Sequence, residues 1–156
     1  MVNFAGYLMP LRYPFGTLKE HKHTRAASGI FDVSHMGQIT IRGADATSFI
    51  ERVSVVDAQA LKVGESSLTL LMTERGTIVD DCIVTKAAAD LYYAVINAGC
   101  KAKDLEYFAR ILGKEFSGKD IEIRSRDDEH SLIAIQGPKA AHSLGRLLGS
   151  DETMFA

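Results

Sequence analysis

An α+β fold, built on an antiparallel or mixed sheet with flanking helices, is what the pattern of this chain predicts. Apolar residues recur with the strand period in some segments and with the helix period in others, and the two kinds alternate along the chain. Several strand pairs are joined by turns too short for any but antiparallel neighbours. The chain has 156 residues, 46% of them hydrophobic and 24% charged, enough to bury one substantial core without metal or disulfide staples. Length alone favours one domain.

The first helix is expected at Thr17, whose hydroxyl can cap the turn while Glu20 reaches back as in a capping box, with Gly29 as the stop. Residues 38–42 alternate between Gly37 and Gly43 and read as a half-buried strand. Asp45 is placed to cap a short helix through Phe49, Ile50 and Val53. Residues 66–72 and 77–86 read as the strands of a hairpin about Arg75-Gly76, and residues 91–96 as another strand. Residues 101–112 form an amphipathic helix ending at Gly113. Residues 121–124 alternate as a strand, and residues 131–135 read as a more apolar, central one. Gly137-Pro138 breaks it, and Pro138 opens a last helix over residues 139–148 that Gly149 ends. The tally is about seven strands and four helices.

Composition excludes several functions. A formal net charge of -2 gives no global attraction to phosphate backbones or anionic lipid, so neither nucleic acid nor a membrane is an expected partner. Residues 1–13 lack the basic start and apolar run of a signal peptide, and no segment approaches membrane-spanning length. Cys82 and Cys100 lie far apart, with no CxxC and no framework spacing, which fits a reducing compartment. P-loop, GxGxxG, HExxH and GxSxG patterns are missing.

The remaining candidates are subtler. His21 and His23 point to different sides of a helix and cannot hold a metal jointly, so a solvated face is expected there and no metal site. Asp32, Ser34 and His35 are close in sequence, but no oxyanion-hole motif accompanies them, and turn hydrogen bonding accounts for them better than a triad does. The sharpest anomaly is Asp80-Asp81, which interrupts an apolar run in a strand, where Asp is a poor residue. In an extended chain the two point to opposite faces, so at least one faces a core or a cleft, where its charge must be paired or used. A turn cap with an ion pair explains them as well as a catalytic carboxylate does. By strand parity Tyr93, Val95 and Asn97 share a face, which suits a flat heteroaromatic ligand and equally a half-exposed sheet surface. Arg12, Lys19, Lys22 and Arg25 either dock an acidic partner or solvate a helix face.

Four blocks carry a family resemblance: residues 1–10 with Phe4-Ala5-Gly6-Tyr7, then Gly29-Ile30-Phe31-Asp32-Val33-Ser34-His35-Met36-Gly37, then Gly76-Thr77-Ile78-Val79-Asp80-Asp81, and Gln136-Gly137-Pro138-Lys139-Ala140. On these residues, their order and their spacing, the chain resembles the N-terminal part of the glycine cleavage system T-protein family, the aminomethyltransferases. The resemblance implies transfer of a one-carbon unit from the aminomethylated lipoyl arm of H-protein to tetrahydrofolate with release of ammonia. It implies Asp81 as the catalytic carboxylate beside the pterin nitrogens, and Met36, Leu68, Tyr93 and Val95 as walls of the folate cavity. Asn97 shares their face and joins them as a weaker member. The cofactors implied are tetrahydrofolate, as co-substrate, and the lipoyl group of H-protein.

The family is about twice this long, so the resemblance implies that residues 1–156 are a partial folate-binding domain, one half plus part of the second half of a duplicated fold. Thr77 stands where a glycine is common in the family. A lone half exposes strand edges and apolar surface, which favours self-association. The readings left open are a related folate-dependent demethylase, a folate-binding repair or RNA-modification protein, and a non-catalytic truncated homologue. The expected location is the cytoplasm, or the mitochondrial matrix in a eukaryote.

Overall fold

The computed structural model describes residues 1–149. In chain order its elements are β1 (Val2–Phe4), β2 (Tyr7–Met9), α1 (Thr17–Ala26), β3 (Gly29–Asp32), β4 (Gly37–Arg42), α2 (Ala46–Val53) and β5 (Ser66–Met72). There follow β6 (Ile78–Ala88), β7 (Leu91–Ile96), α3 (Lys101–Glu115), β8 (Glu122–Ser125), β9 (Ile133–Gln136) and α4 (Ala140–Leu148). The α+β class with antiparallel sheets is as expected. The chain divides into two compact units, one of Met1–His35 with the segment from Ser131 onward, the other of Met36–His130.

In the first unit β1 and β2 form a hairpin whose turn residues Ala5 (φ 51) and Gly6 (φ 88) are both left-handed, the geometry of tight hairpin turns. Asn3 steadies it, its side-chain oxygen accepting the Gly6 N–H at 3.1 Å. The capping box expected at Thr17 does not form. Gly16 occupies the cap position without a side-chain cap bond, and the Glu20 carboxylate instead accepts the Tyr13 N–H at 3.1 Å. The helix stops at Ala26, so Gly29 begins β3 rather than ending α1. β9, expected as a central strand, pairs only with β3 among the described residues, and its Ile133 is exposed. α4 ends as expected, at Gly149 in the left-handed conformation.

The second unit is built on a five-stranded antiparallel sheet in the order β5-β6-β7-β4-β8. One face carries Ile39, Ile41, Leu71, Val84, Tyr92, Ala94 and Ile96 against Phe49, Ile50 and Val53 of α2 and Tyr107, Phe108 and Ile111 of α3. The expected stop at Gly113 fails because α3 continues to Glu115 and leads into Phe116, whose ring meets Phe49 at 5.4 Å. That contact outweighs the roughly 1 kcal/mol a helical glycine costs. Asp45 does not cap α2 with its side chain. It accepts the Asp120 N–H at 3.1 Å while Asp120 accepts the Ala44 N–H at 3.0 Å, a reciprocal brace between two loops.

Gly43, just after β4, has φ 132, and a β-carbon there would lie 2.0 Å from the Asp120 carbonyl oxygen. Gly43→Ala is therefore expected to destabilise the second unit by at least about 1 kcal/mol in urea denaturation. A neutral result would mean that the connection into β8 yields freely.

Candidate functional site

The strand register decides which residues meet on the sheet face turned away from α2 and α3. Leu68 pairs with Ile83, Ile83 with Val95, and Val95 with Gln38. Leu70 pairs with Asp81, and Tyr93 lies between Thr85 and Thr40. Parity then sets Leu68, Leu70, Asp81, Ile83, Tyr93 and Val95 on one face. This face is apolar and open: Leu68 is 70% exposed and Ile83 44%. Cys82, Ile96 and Gly37 form one row across three strands, so Asp81, Asn97 and Met36 are the next residues of those strands at the same end. Met36 and Asn97 are half-buried and Asp81 is exposed.

The aspartate pair divides as extended geometry requires. Asp81 stands on the open face, while Asp80 follows Cys82 and Val84 toward the helices and is half-buried. Asn97 fastens both: its side-chain amide donates to Asp81 Oδ1 at 3.1 Å and to the two Asp80 oxygens at 3.2 and 3.3 Å. It also reaches the Asp81 carbonyl at 3.2 Å. Neither the turn cap nor the ion pair weighed from sequence is seen among the described residues. Burial alone would raise the Asp80 pKa. Hydrogen bonds from Asn97, the Asp104 carboxyl, the Asp81 backbone and the Cys100 thiol outweigh it and hold Asp80 below the usual carboxylate range.

Tyr93 is anchored from the neighbouring strand. Its hydroxyl donates to Gln38 Oε1 at 2.7 Å, and Gln38 Nε2 donates to the His130 carbonyl at 2.9 Å. The Gln38 N–H is taken by Asp127 at 2.6 Å, and Asp127 is paired with Lys101 at 2.8 Å. Alternation alone would leave Gln38 at a solvated surface, yet it is 2% exposed. Its side-chain amide is satisfied on both sides, so the burial costs little. Burial, and then the Asp127 charge, raise the Tyr93 pKa, so its phenol remains a donor.

His21 and His23 are exposed on α1, and no group of residues suited to a metal occurs among those described. Asp32 accepts the Ser34 N–H at 3.0 Å in a local turn, and His35 packs edge-on against Phe4 at 5.6 Å. The first unit also carries an apolar cavity of about 830 Å³ lined by Tyr7, Phe15, Ile30 and Phe31 among others. It draws on the blocks of residues 1–10 and 29–37 that carry the family resemblance, but none of the site residues that the resemblance implies, Met36, Leu68, Asp81, Tyr93, Val95 and Asn97, lines it. Its aromatics come from short exposed segments without a readable period. Asp104 was missed as well, although Asp104, Tyr107, Phe108 and Ile111 follow the helical period of a buried stripe.

Fold and site together define an α+β domain that presents a carboxylate, steadied by an amide, at the end of an open apolar sheet face. The chain belongs to the GCVT N-terminal domain family, whose model matches residues 1–155. It is 46% identical over 142 residues to the mitochondrial aminomethyltransferase of Dictyostelium discoideum, covering 88% of this chain and 34% of that one. It is 41% identical to an aminomethyltransferase of Thermus thermophilus, with 97% and 42% covered. The crystal structure of the glycine cleavage system aminomethyltransferase T from Bartonella henselae superposes with a TM-score of 0.85 at 38% identity, over 96% of this chain and 40% of that chain. The chain thus spans well under half the length of these relatives.

Proposed function

We propose that this chain is the folate-facing part of an aminomethyltransferase that moves a one-carbon unit from the aminomethyl-lipoyl arm of H-protein to tetrahydrofolate. The methylene carbon leaves its sulfur and its amine and bonds to two folate nitrogens. The two N–H protons lost by folate reappear on ammonia and on the released thiol, so the reaction needs no oxidant. The protein's work is to hold the reactants in line and to steady developing charge.

The observation that carries this reading is the exposed Asp81 carboxylate, held by Asn97 at 3.1 Å at the end of an open face formed by Leu68, Ile83, Tyr93 and Val95. A carboxylate is an acceptor only, which suits the N–H donors of a pterin edge. The apolar side chains supply walls for its flat ring, and Met36 an adaptable contact. Asp81 orients the folate and stabilises or relays charge as the amine departs. The domain is one part of a longer folate-binding enzyme that works in bacterial cytoplasm or the mitochondrial matrix, with H-protein and tetrahydrofolate as its partners.

Calorimetric titration of the 156-residue chain with tetrahydrofolate, beside an Asp81→Asn variant of matched circular dichroism, tests the reading. Saturable binding weakened about ten- to hundredfold by the substitution is expected, the range for one charged hydrogen bond. Binding that ignores the substitution would remove Asp81 from the site.

A further inference from the structure

Asp104 is the most deeply buried charged-type side chain of the second unit, at 0% exposure. No N–H or O–H donor among the described residues reaches either of its carboxylate oxygens. Its partner across the gap from α3 to β6 is another carboxyl, that of Asp80, with which it shares a hydrogen bond. Two carboxyl groups can be joined in this way only if one of them carries the proton, and the half-buried Asp80 beside the buried Asp104 disfavours ionising both.

The neighbours decide which one keeps it. Asp80 receives the Asn97 amide and the Cys100 thiol, both of which favour its anion. The groups that face Asp104 are Asp80, Asp81 and the buried Cys82 thiol on β6, with Lys103 on its own helix. The Lys103 ammonium and the positive end of α3 favour an Asp104 anion. Lys103, however, donates to the Val79 carbonyl and the Cys100 sulfur and makes no hydrogen bond to Asp104. Burial and the Asp80 charge prevail, and the Asp104 proton is held to about pH 7.

We propose that Asp104 is a positioning residue: it donates its carboxyl proton to Asp80, and through Asp80 and Asn97 fixes the direction in which Asp81 presents its carboxylate to the open face. The link is continuous. Asn97 bonds Asp80 and Asp81 with one side-chain nitrogen, so the Asp80 anion that Asp104 steadies also sets the Asn97 amide. Loss of the Asp104 proton leaves two repelling carboxylates behind Asn97, which displaces Asp80 and, with it, the amide that bonds it. The link to folate rests on the function proposed above; the link to Asp81 does not.

The test is a carboxyl-carbon NMR titration of the full chain, with the Asn97 side-chain amide followed in parallel, in the wild type, Asp104→Asn and Asp104→Ala. The Asn variant keeps an N–H donor toward Asp80 but cannot titrate; the Ala variant removes the donor. The Asp104 carboxyl should titrate near neutral pH, the Asn97 amide should move with the same midpoint, and Asp104→Asn should abolish both transitions. An Asp104 that titrates with the ordinary carboxylates, or an Asn97 amide indifferent to it, overturns the proposal.

Tetrahydrofolate affinity supplies the second arm. If only the protonated form presents Asp81 correctly, the wild type should bind about tenfold more weakly at about pH 8 than at about pH 6, and Asp104→Asn should not. Equal wild-type binding at both pH values overturns the positioning role. No binding at either pH, with the two resonances still titrating together, overturns the folate reading and upholds the link from Asp104 to Asp81.

Discussion

Phe49→Ala should cost the second unit about 3–5 kcal/mol, the range for deleting a fully buried aromatic ring. Phe49 is 0% exposed, and its ring meets Phe108 at 5.9 Å and Phe116 at 5.4 Å, both edge-on. Edge-to-face contacts of this kind add roughly 0.5–1.5 kcal/mol per pair beyond the area they bury. The void could not collapse easily, because α2 is held above the sheet by Ile50 and Val53 as well. Against a typical total stability of roughly 5–15 kcal/mol, the loss would be a large share. Urea denaturation followed by circular dichroism would show it as a lowered midpoint at unchanged slope. Phe49→Leu, which refills part of the space, should cost distinctly less. A loss below about 1 kcal/mol for the alanine variant would mean that Phe49 is not central to the core.

How far the sequence could be read depends on what each element leans on. The strands of the second unit announce themselves because one face is buried: Tyr92, Ala94 and Ile96 alternate with Leu91, Tyr93 and Val95, and Arg75-Gly76 marks the turn of the first hairpin. β1, β2 and β3 escaped because they are three or four residues long and bury nothing, so no alternation distinguishes them from a loop. Caps failed for a different reason. Thr17 and Asp45 have the right chemistry, but Gly16 takes the first cap position and Asp120 claims the Asp45 carboxylate. Local preference lost to a longer-range partner in the second case.

The site was legible in halves. Parity places Tyr93 and Val95 on one face from sequence alone, and the oddity of two aspartates in a strand singles out Asp80 and Asp81. That Leu68 and Asp81 lie on the same face as Tyr93 follows only from register, since Leu68 reaches Val95 through Ile83. A shift of one residue in β6 would have exchanged Asp80 and Asp81 between core and open face. The Asp80–Asp104 pair was hidden because an aspartate in the first turn of a helix reads as an ordinary dipole partner. Only its place on the stripe of Tyr107, Phe108 and Ile111 marks it as buried.

That buried carboxyl makes stability depend on pH in the sense opposite to most aspartates. Asp104 gives up its proton near 3.8 when exposed but keeps it to about 7 in the folded chain, chiefly because burial penalises the anion and next because of the Asp80 hydrogen bond and charge. Between those values the folded state binds more protons than the unfolded state, so stability from this group is full below about pH 4 and falls as pH rises toward 7. The whole displacement is worth about 4 kcal/mol. Asp80 is shifted downward, so its contribution is present above the ordinary carboxylate value and is lost only as pH falls below it, outside this window. Cys82, whose buried thiol is pushed up to about 12, adds a second loss only above about pH 9. Urea denaturation of the wild type and Asp104→Asn at about pH 4, 6 and 8 isolates the Asp104 term, because every other titrating group is common to the two chains. The difference should grow with pH in favour of the asparagine variant, toward about 4 kcal/mol at about pH 8. A constant difference across that range would mean that Asp104 gives up its proton in the folded chain as it does in the unfolded one, and so does not donate to Asp80.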